Sequence, residues 1–198
     1  MPGLSKPDSR NDQELVAAIH RVDPDAFETL YLRHRDYALK LAIRFCGERS
    51  LALDAVQDTF IYVYKKFPGF TLTAKFTTFL YPVVKHNALS AKHKAKRTQG
   101  IRGGGESSEG DALSGRADET ATDPARDYAD APGSGVAKLA ASLPEAQREV
   151  LMLRFVDGLA LEEIAQMLDI PLGTVKTRIH HAVRKLRDDP ATKNYFAD

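Results

Sequence analysis

Apolar residues recur every three to four positions through most of the chain, and no stretch alternates with period two for long enough to make a strand. The pattern therefore predicts an all-α protein. Leu15, Val16 and Ile19 form a short amphipathic turn or two beginning at Asp12. Asp23-Pro24 then supplies an N-cap followed by proline at the first helical position, and a stripe of Phe27, Leu30, Tyr31, Ala38, Leu41, Ala42 and Phe45 runs as far as Gly47. Ser50 is the next candidate cap. It opens a third helix to about Phe67, with Leu53, Val56, Phe60, Val63, Tyr64 and Phe67 facing inward, and Pro68-Gly69 stops it. A fourth apolar set begins at Phe76, where Pro82 predicts a kink or a helix starting shortly before it, because proline lacks the N–H and crowds the preceding turn.

Past a stretch with no hydrophobic period, the pattern resumes near Ser134. Val136, Leu139, Ala140 and Leu143 make one short helix. Pro144 opens the next, with Val150, Leu151, Leu153 and Phe155 inside and Asp157-Gly158 at its end. Leu161, Ile164, Ala165 and Leu168 form a short helix interrupted by Asp169-Ile170-Pro171. A longer helix follows, carrying Val175, Ile179, Val183 and Leu186 on one stripe.

Composition adds the domain division. The 198 residues, 43% hydrophobic and 28% charged, suit one large or two small soluble domains. The net charge of +1 conceals strong segregation. Residues 98–135 hold eight acids against three arginines, with glycines at 103–105 and prolines at 124 and 132, and read as a flexible acidic linker. The glycines lack a following Lys-Ser/Thr, so a phosphate-binding loop is rejected. The expected division is a disordered tail at 1–11, a helical domain at 12–97, the linker, a second domain at 136–188 and a tail at 189–198. Cys46 is the single cysteine, which excludes an internal disulfide and a thiolate zinc cluster. Neither a signal peptide nor an apolar run of spanning length is present, so the expected compartment is the cytoplasm, without membrane insertion.

Two stretches carry chemistry. On the last long helix, Thr174, Thr177, His181 and Arg184 point away from the apolar stripe, flanked by Lys176, Arg178, Lys185 and Arg187. Leu172 to Arg187 holds no acid. Short hydrogen-bonding groups between cations suit a DNA major groove, where bases are read in the middle and phosphates are neutralised at the edges. A short helix, a tight turn and a basic second helix together read as a helix-turn-helix. The other stretch, Lys75 to Arg97, contains Lys75, Lys85, Lys92, Lys94, Lys96 and Arg97, two histidines and no acid, with Phe76, Phe79 and Tyr81 near its start. Cations with aromatics suit single-stranded or melting DNA, though any of these rings can equally be core.

Four passages resemble the extracytoplasmic-function (ECF) group of bacterial sigma factors, the promoter-specificity subunits of RNA polymerase. They are ELVAAIHRVDPDAFETLYLRH (14–34), DAVQDTFIYVYKKF (54–67), FTTFLYPVVKHNALSAKHKAKR (76–97) and LPEAQREVLMLRFVDGLALEEIAQMLDIPLGTVKTRIHHAVRKLR (143–187). The resemblance implies a region 2 domain that binds core polymerase and the minus-ten element, and a region 4 domain that reads the minus-thirty-five element. Asp54, Gln57, Asp58 and Phe60 stand where the family meets the polymerase clamp. Lys75, Phe76, Phe79, Tyr81, Lys85, His86, Asn87, Lys92 and Arg97 fall in the minus-ten segment. Phe79 replaces the usual tryptophan, and His86, often asparagine in the family, lies with Asn87 in the neighbourhood of the loop that captures a flipped base. Arg154, Lys176 and Arg178 resemble phosphate contacts; Thr177, His180, His181 and Arg184 resemble the base-reading set, with Thr174 and Lys185 on the same helix. Ala160 replaces a usual capping Ser or Thr, and Asp169 a usual turn glycine. The resemblance further implies an anti-sigma partner. No catalytic residue, cofactor or metal is expected: His180 and His181 diverge on a helix and no third ligand is evident. The alternatives are an autonomous helix-turn-helix activator or repressor, which would not need the basic-aromatic segment, and a helical nuclease, for which no metal-spaced carboxylates stand beside the basic faces.

Overall fold

The computed structural model describes residues 8–21, 23–102 and 139–189, with side chains from 99 to 102 left aside. Among the described residues there is no strand; seven helices lie wholly within them, α1 (Asp12–Ile19), α2 (Pro24–Cys46), α3 (Arg49–Lys66), α4 (Phe76–Arg102), α5 (Glu145–Phe155), α6 (Leu161–Leu168) and α7 (Leu172–Asp188), and residues 139–140 are also helical. They belong to two compact units that divide at Ala88 and Leu89, within α4.

In the first unit two helices are capped by side chains, the cap of α2 being the predicted one. The Asn11 side chain accepts from the Glu14 N–H while Glu14 accepts from the Asn11 N–H, a reciprocal cap on α1. Asp23 caps α2 with Pro24 at its start, and Gly47 ends it in the left-handed conformation (φ 79°) that a Cβ would strain. Residues 8–11 are not a loose tail. Arg10 binds Asp8 and Asp23 at 2.6 and 2.7 Å, and Arg33 donates to the Asp8 and Arg10 carbonyls. The Arg10 guanidinium holds the Asp8 carboxyl down to about 2.

Three side-chain expectations change in this unit. Ser50 is not a cap: Glu48 occupies the N-cap of α3 and makes no side-chain cap bond. Leu53 and Tyr64 are not inward but 50% and 59% exposed. The buried row of α3 is Ala52, Val56, Phe60 and Val63, and at about 100° per residue Leu53 and Tyr64 sit roughly 60° and 80° from its centre at Val56. Pro82 lies inside α4, six residues after its start, where it supplies no N–H for the Thr78 carbonyl. α4 lays an i, i+4 row of Phe76, Leu80, Val84 and Ala88, all fully buried, into the unit. α4 also continues to Arg102, so the first residues assigned to the linker are helical. The rest of that stretch, Val136 and the last tail residues lie outside the described residues.

The second unit is built by α5 and α7 with α6 against both, packed on the helical end at 139–140 and the turn that follows it. Its core joins Ala140, Leu143, Leu151, Met152, Ala182 and Leu186. Phe155, expected inside, is 57% exposed; Met152 takes the interior place. On α7 the buried positions are Val175, Ala182 and Leu186 rather than Val183, which is 36% exposed. The seven- and eleven-residue steps return to within about 20° of Val175, whereas the eight-residue step to Val183 rotates about 80°. Arg148 donates to the carbonyls of Ala140, Ala141 and Leu143, satisfying a helix end that would otherwise be orphaned.

Candidate nucleic-acid interface

α6 and α7 meet at a corner whose geometry follows from three residues. Asp169 takes the left-handed conformation (φ 51°, ψ 49°), as its short polar side chain tolerates. The Ile170 N–H then closes on the Ala165 carbonyl at 3.0 Å, and Pro171 starts α7, whose first bond runs from Thr174 N–H to the Pro171 carbonyl at 2.9 Å. At the other end of α6, Glu163 accepts from the Ala160 N–H at 2.8 Å, but Ala160 has no oxygen to return. Half of a capping box is therefore present.

The corner presents one face of α7. Lys176, Thr177, His180, His181, Arg184 and Lys185 are exposed, and Thr174 and Arg178 are half-buried at its start. Some of these groups are already engaged. Thr177 Oγ1 donates to the Gly173 carbonyl at 2.9 Å, Lys185 Nζ to the Ser142 carbonyl at 3.0 Å, and Arg184 lies 3.8 Å from Asp188. Arg154 donates to the Leu159 carbonyl at 2.9 Å, just before α6. The His180 and His181 rings are 5.8 Å apart, and among the described residues no three His, Cys, Asp or Glu converge as metal ligands.

In the first unit the aromatic set divides. Phe76 is fully buried, tilted against His34 and Phe67, and Tyr81 is 1% exposed with its ring edge on Phe45. Neither ring can meet a base without leaving the core, so both are corrected from DNA-facing to structural. Phe79 stays half-buried, 4.6 Å from Phe70, with Lys66 Nζ 5.9 Å from its ring. This pair keeps an accessible aromatic surface beside a cation.

Beyond it, Lys85, Lys92 and Lys96 repeat at seven- and eleven-residue steps and so share one line of α4, with exposed His86, His93 and Arg97 beside them. The row spans about 16 Å of helix. Lys75 is exposed at the head of α4, and Lys85 Nζ sits 5.6 Å over the Phe45 ring. His86 and Asn87 lie within the helix, not on a loop, and Asn87 Nδ2 donates to Thr59 Oγ1 at 3.0 Å. Asn87 is thus engaged with α3 through one of its amide hydrogens.

On α3, Asp54, Gln57 and Asp58 are exposed, whereas Phe60 is 4% exposed with its ring 4.9 Å from Tyr31. Phe60 is core. In its place the helix exposes Leu53, Ile61, Tyr62 and Tyr64, around the same acids. These residues were missed because an apolar side chain reads as core; the signal was a wheel centred on Val56 and Val63, which leaves them over.

His34 was also unforeseen. It is buried, and burial pushes its pKa down, with the neighbouring Asp12 carboxylate opposing and Arg33 adding to the fall. A neutral ring donating Nε2–H to Asp12 Oδ2 at 2.9 Å fits that balance.

Residues 30–98 match the family described as Sigma-70 region 2, and residues 139–188 match Sigma-70, region 4. The chain is 29% identical over 174 residues to ECF RNA polymerase sigma factor SigW of Bacillus subtilis, covering 87% of this chain and 92% of the relative. It is 30% identical over 175 residues to RNA polymerase sigma-H factor of Pseudomonas aeruginosa, covering 86% and 89%. Identity is 32% over 178 residues to ECF RNA polymerase sigma-E factor of Escherichia coli K12, covering 86% and 90%. Among solved structures, CnrH in complex with the cytosolic domain of CnrY aligns with a TM-score of 0.60 at 22% identity, over 88% of this chain and 94% of that one. Sigma factor RpoE in complex with anti-sigma factor NepR from Bartonella quintana gives 0.54 at 22% identity, over 82% and 94%. Both confirm the fold. With the two sigma regions matched in order and relatives aligned over nearly their whole length, the chain belongs to the ECF RNA polymerase sigma factors.

Proposed function

We propose that the sigma activity of this chain is divided between three surfaces and involves no chemical step of its own. The exposed face of α3, with Asp54, Gln57 and Asp58 among Leu53, Ile61 and Tyr64, docks on the clamp of core polymerase. The α4 row of Lys85, Lys92 and Lys96, with His86, Arg97 and the Phe79 ring, holds the opened minus-ten strand. The α7 face reads the minus-thirty-five duplex, Thr177, His180, His181 and Arg184 at bases and Arg154, Lys176 and Arg178 at phosphates. The observation that carries the reading is that one chain carries two acid-poor cationic helix faces, one on α4 and one on α7. An autonomous helix-turn-helix regulator would use the second face and have no need of the first.

The domain assignment is region 2 at 12–97 and region 4 at 136–188. The segment at 98–135 joins them. An anti-sigma protein is the proposed inhibitory partner, supported by two structural neighbours described in complexes with CnrY and NepR. The proposed compartment is the cytoplasm; no helix among the described residues is long and apolar enough to cross a membrane.

Reconstituted transcription from a pool of random promoters, with bacterial core polymerase and with or without this protein, tests the reading. Protein-dependent transcripts sharing two upstream motifs are expected. Tight binding to duplex DNA by the protein alone, with initiation unchanged, would instead support the autonomous regulator.

A further inference from the structure

The buried face of α4 ends weakly. Phe76, Leu80 and Val84 give way to Ala88, a side chain too small to resist rotation of the helix about its axis. At that point stands a directional contact. Asn87 Nδ2 donates to Thr59 Oγ1 at 3.0 Å, and the same hydroxyl donates to the Ala55 carbonyl at 2.7 Å. Thr59 has no exposed surface, so water cannot replace Asn87 there. Thr59 follows the exposed Gln57 and Asp58 on α3, and Asn87 follows the exposed His86 on α4. Neighbouring residues on a helix diverge by about 100°, so fixing Asn87 inward fixes where His86 points.

We infer that Asn87 and Thr59 are positioning residues, a pin that sets the rotation of α4 on α3 and aims His86 at the non-template strand. The inference rests on the minus-ten reading of α4. A hydrogen bond suits this role better than another apolar contact because its strength falls steeply with angle, whereas an apolar row tolerates sliding. The pin also joins the helix that docks on polymerase to the helix that holds the strand through two bonded side chains.

The test uses holoenzyme reconstituted with core polymerase and four templates that differ at a single minus-ten base. His86→Ala first identifies the base, lowering the ratio of opening on the best to the worst template by about tenfold. Thr59→Val keeps the shape and removes the hydroxyl. The paired variant Thr59→Val with Asn87→Leu removes both polar groups, and secondary structure by circular dichroism checks that it is folded. Both are expected to narrow the same ratio at the same base, by about three- to tenfold, while affinity for core polymerase is unchanged. Thr59→Ser retains the oxygen and should retain the preference. If His86→Ala narrows the ratio but the paired variant, folded, does not, the pin is overturned and the minus-ten reading stands. If Asn87→Ala changes preference at a different base and Thr59→Val has no effect, Asn87 reads DNA directly. A His86→Ala protein with unaltered preference removes the minus-ten reading and the pin with it.

Discussion

The start of α6 shows how much one missing atom can matter. Glu163 already satisfies the Ala160 N–H, but the orphan donors of the first turn have no side-chain oxygen at the N-cap. Ala160→Ser would complete the reciprocal cap. It should raise stability by about 0.5–1 kcal/mol, measured by chemical denaturation. No gain would mean that water already satisfies the turn. At the other end of α6, Asp169 shows the opposite outcome: a departure from glycine that the backbone absorbs in the left-handed conformation. Both departures were legible from the sequence because capping depends on one residue and its immediate neighbours.

At the scale of an element, α3 has two working faces. One buries Ala52, Val56, Phe60 and Val63, and the other presents Leu53, Gln57, Ile61 and Tyr64 in one arc beside Asp54 and Asp58. Apolar side chains ringed by acids are what a protein interface offers. Leu53→Ser with Ile61→Ser should weaken binding to core polymerase by about tenfold or more. Because both side chains are half exposed, the stability of the free protein should change by less than about 1 kcal/mol. Binding measured by competition for core polymerase, beside a denaturation curve, separates the two effects. A large loss of stability would return these residues to the core.

At the scale of the molecule, the first unit carries a built-in pH dependence. His34 is held neutral in the fold by burial, so its folded pKa lies below the ordinary value of about 6.5. Between those two values the unfolded chain binds more protons, and stability therefore rises with pH. The contribution is complete above the unfolded pKa and is lost as pH falls through 6.5 toward the folded value. Asp8 and Asp23, which Arg10 holds down, lose their pairing only in more acid solution. Denaturation curves between pH 7.5 and 5.5 should show declining stability, and His34→Gln should flatten the decline. An unchanged slope in the variant would assign the dependence to other groups.

Helix order, most caps, the helix-turn-helix corner and both cationic faces were determined by the sequence itself. Each depends on local spacing, on a single capping residue, or on charge that has nowhere to hide. Tertiary structure alone decided which rings are core and which are surface. Phe76 and Tyr81 look like Phe79 in sequence, yet the neighbours that cover the first two come from α2 and the end of α3. Only the fold could place His34 against Asp12 from 22 positions away, or bond Asn87 to Thr59 across 28. Periodicity locates a face of a helix; what lies opposite that face comes from remote residues, and burial is settled between them.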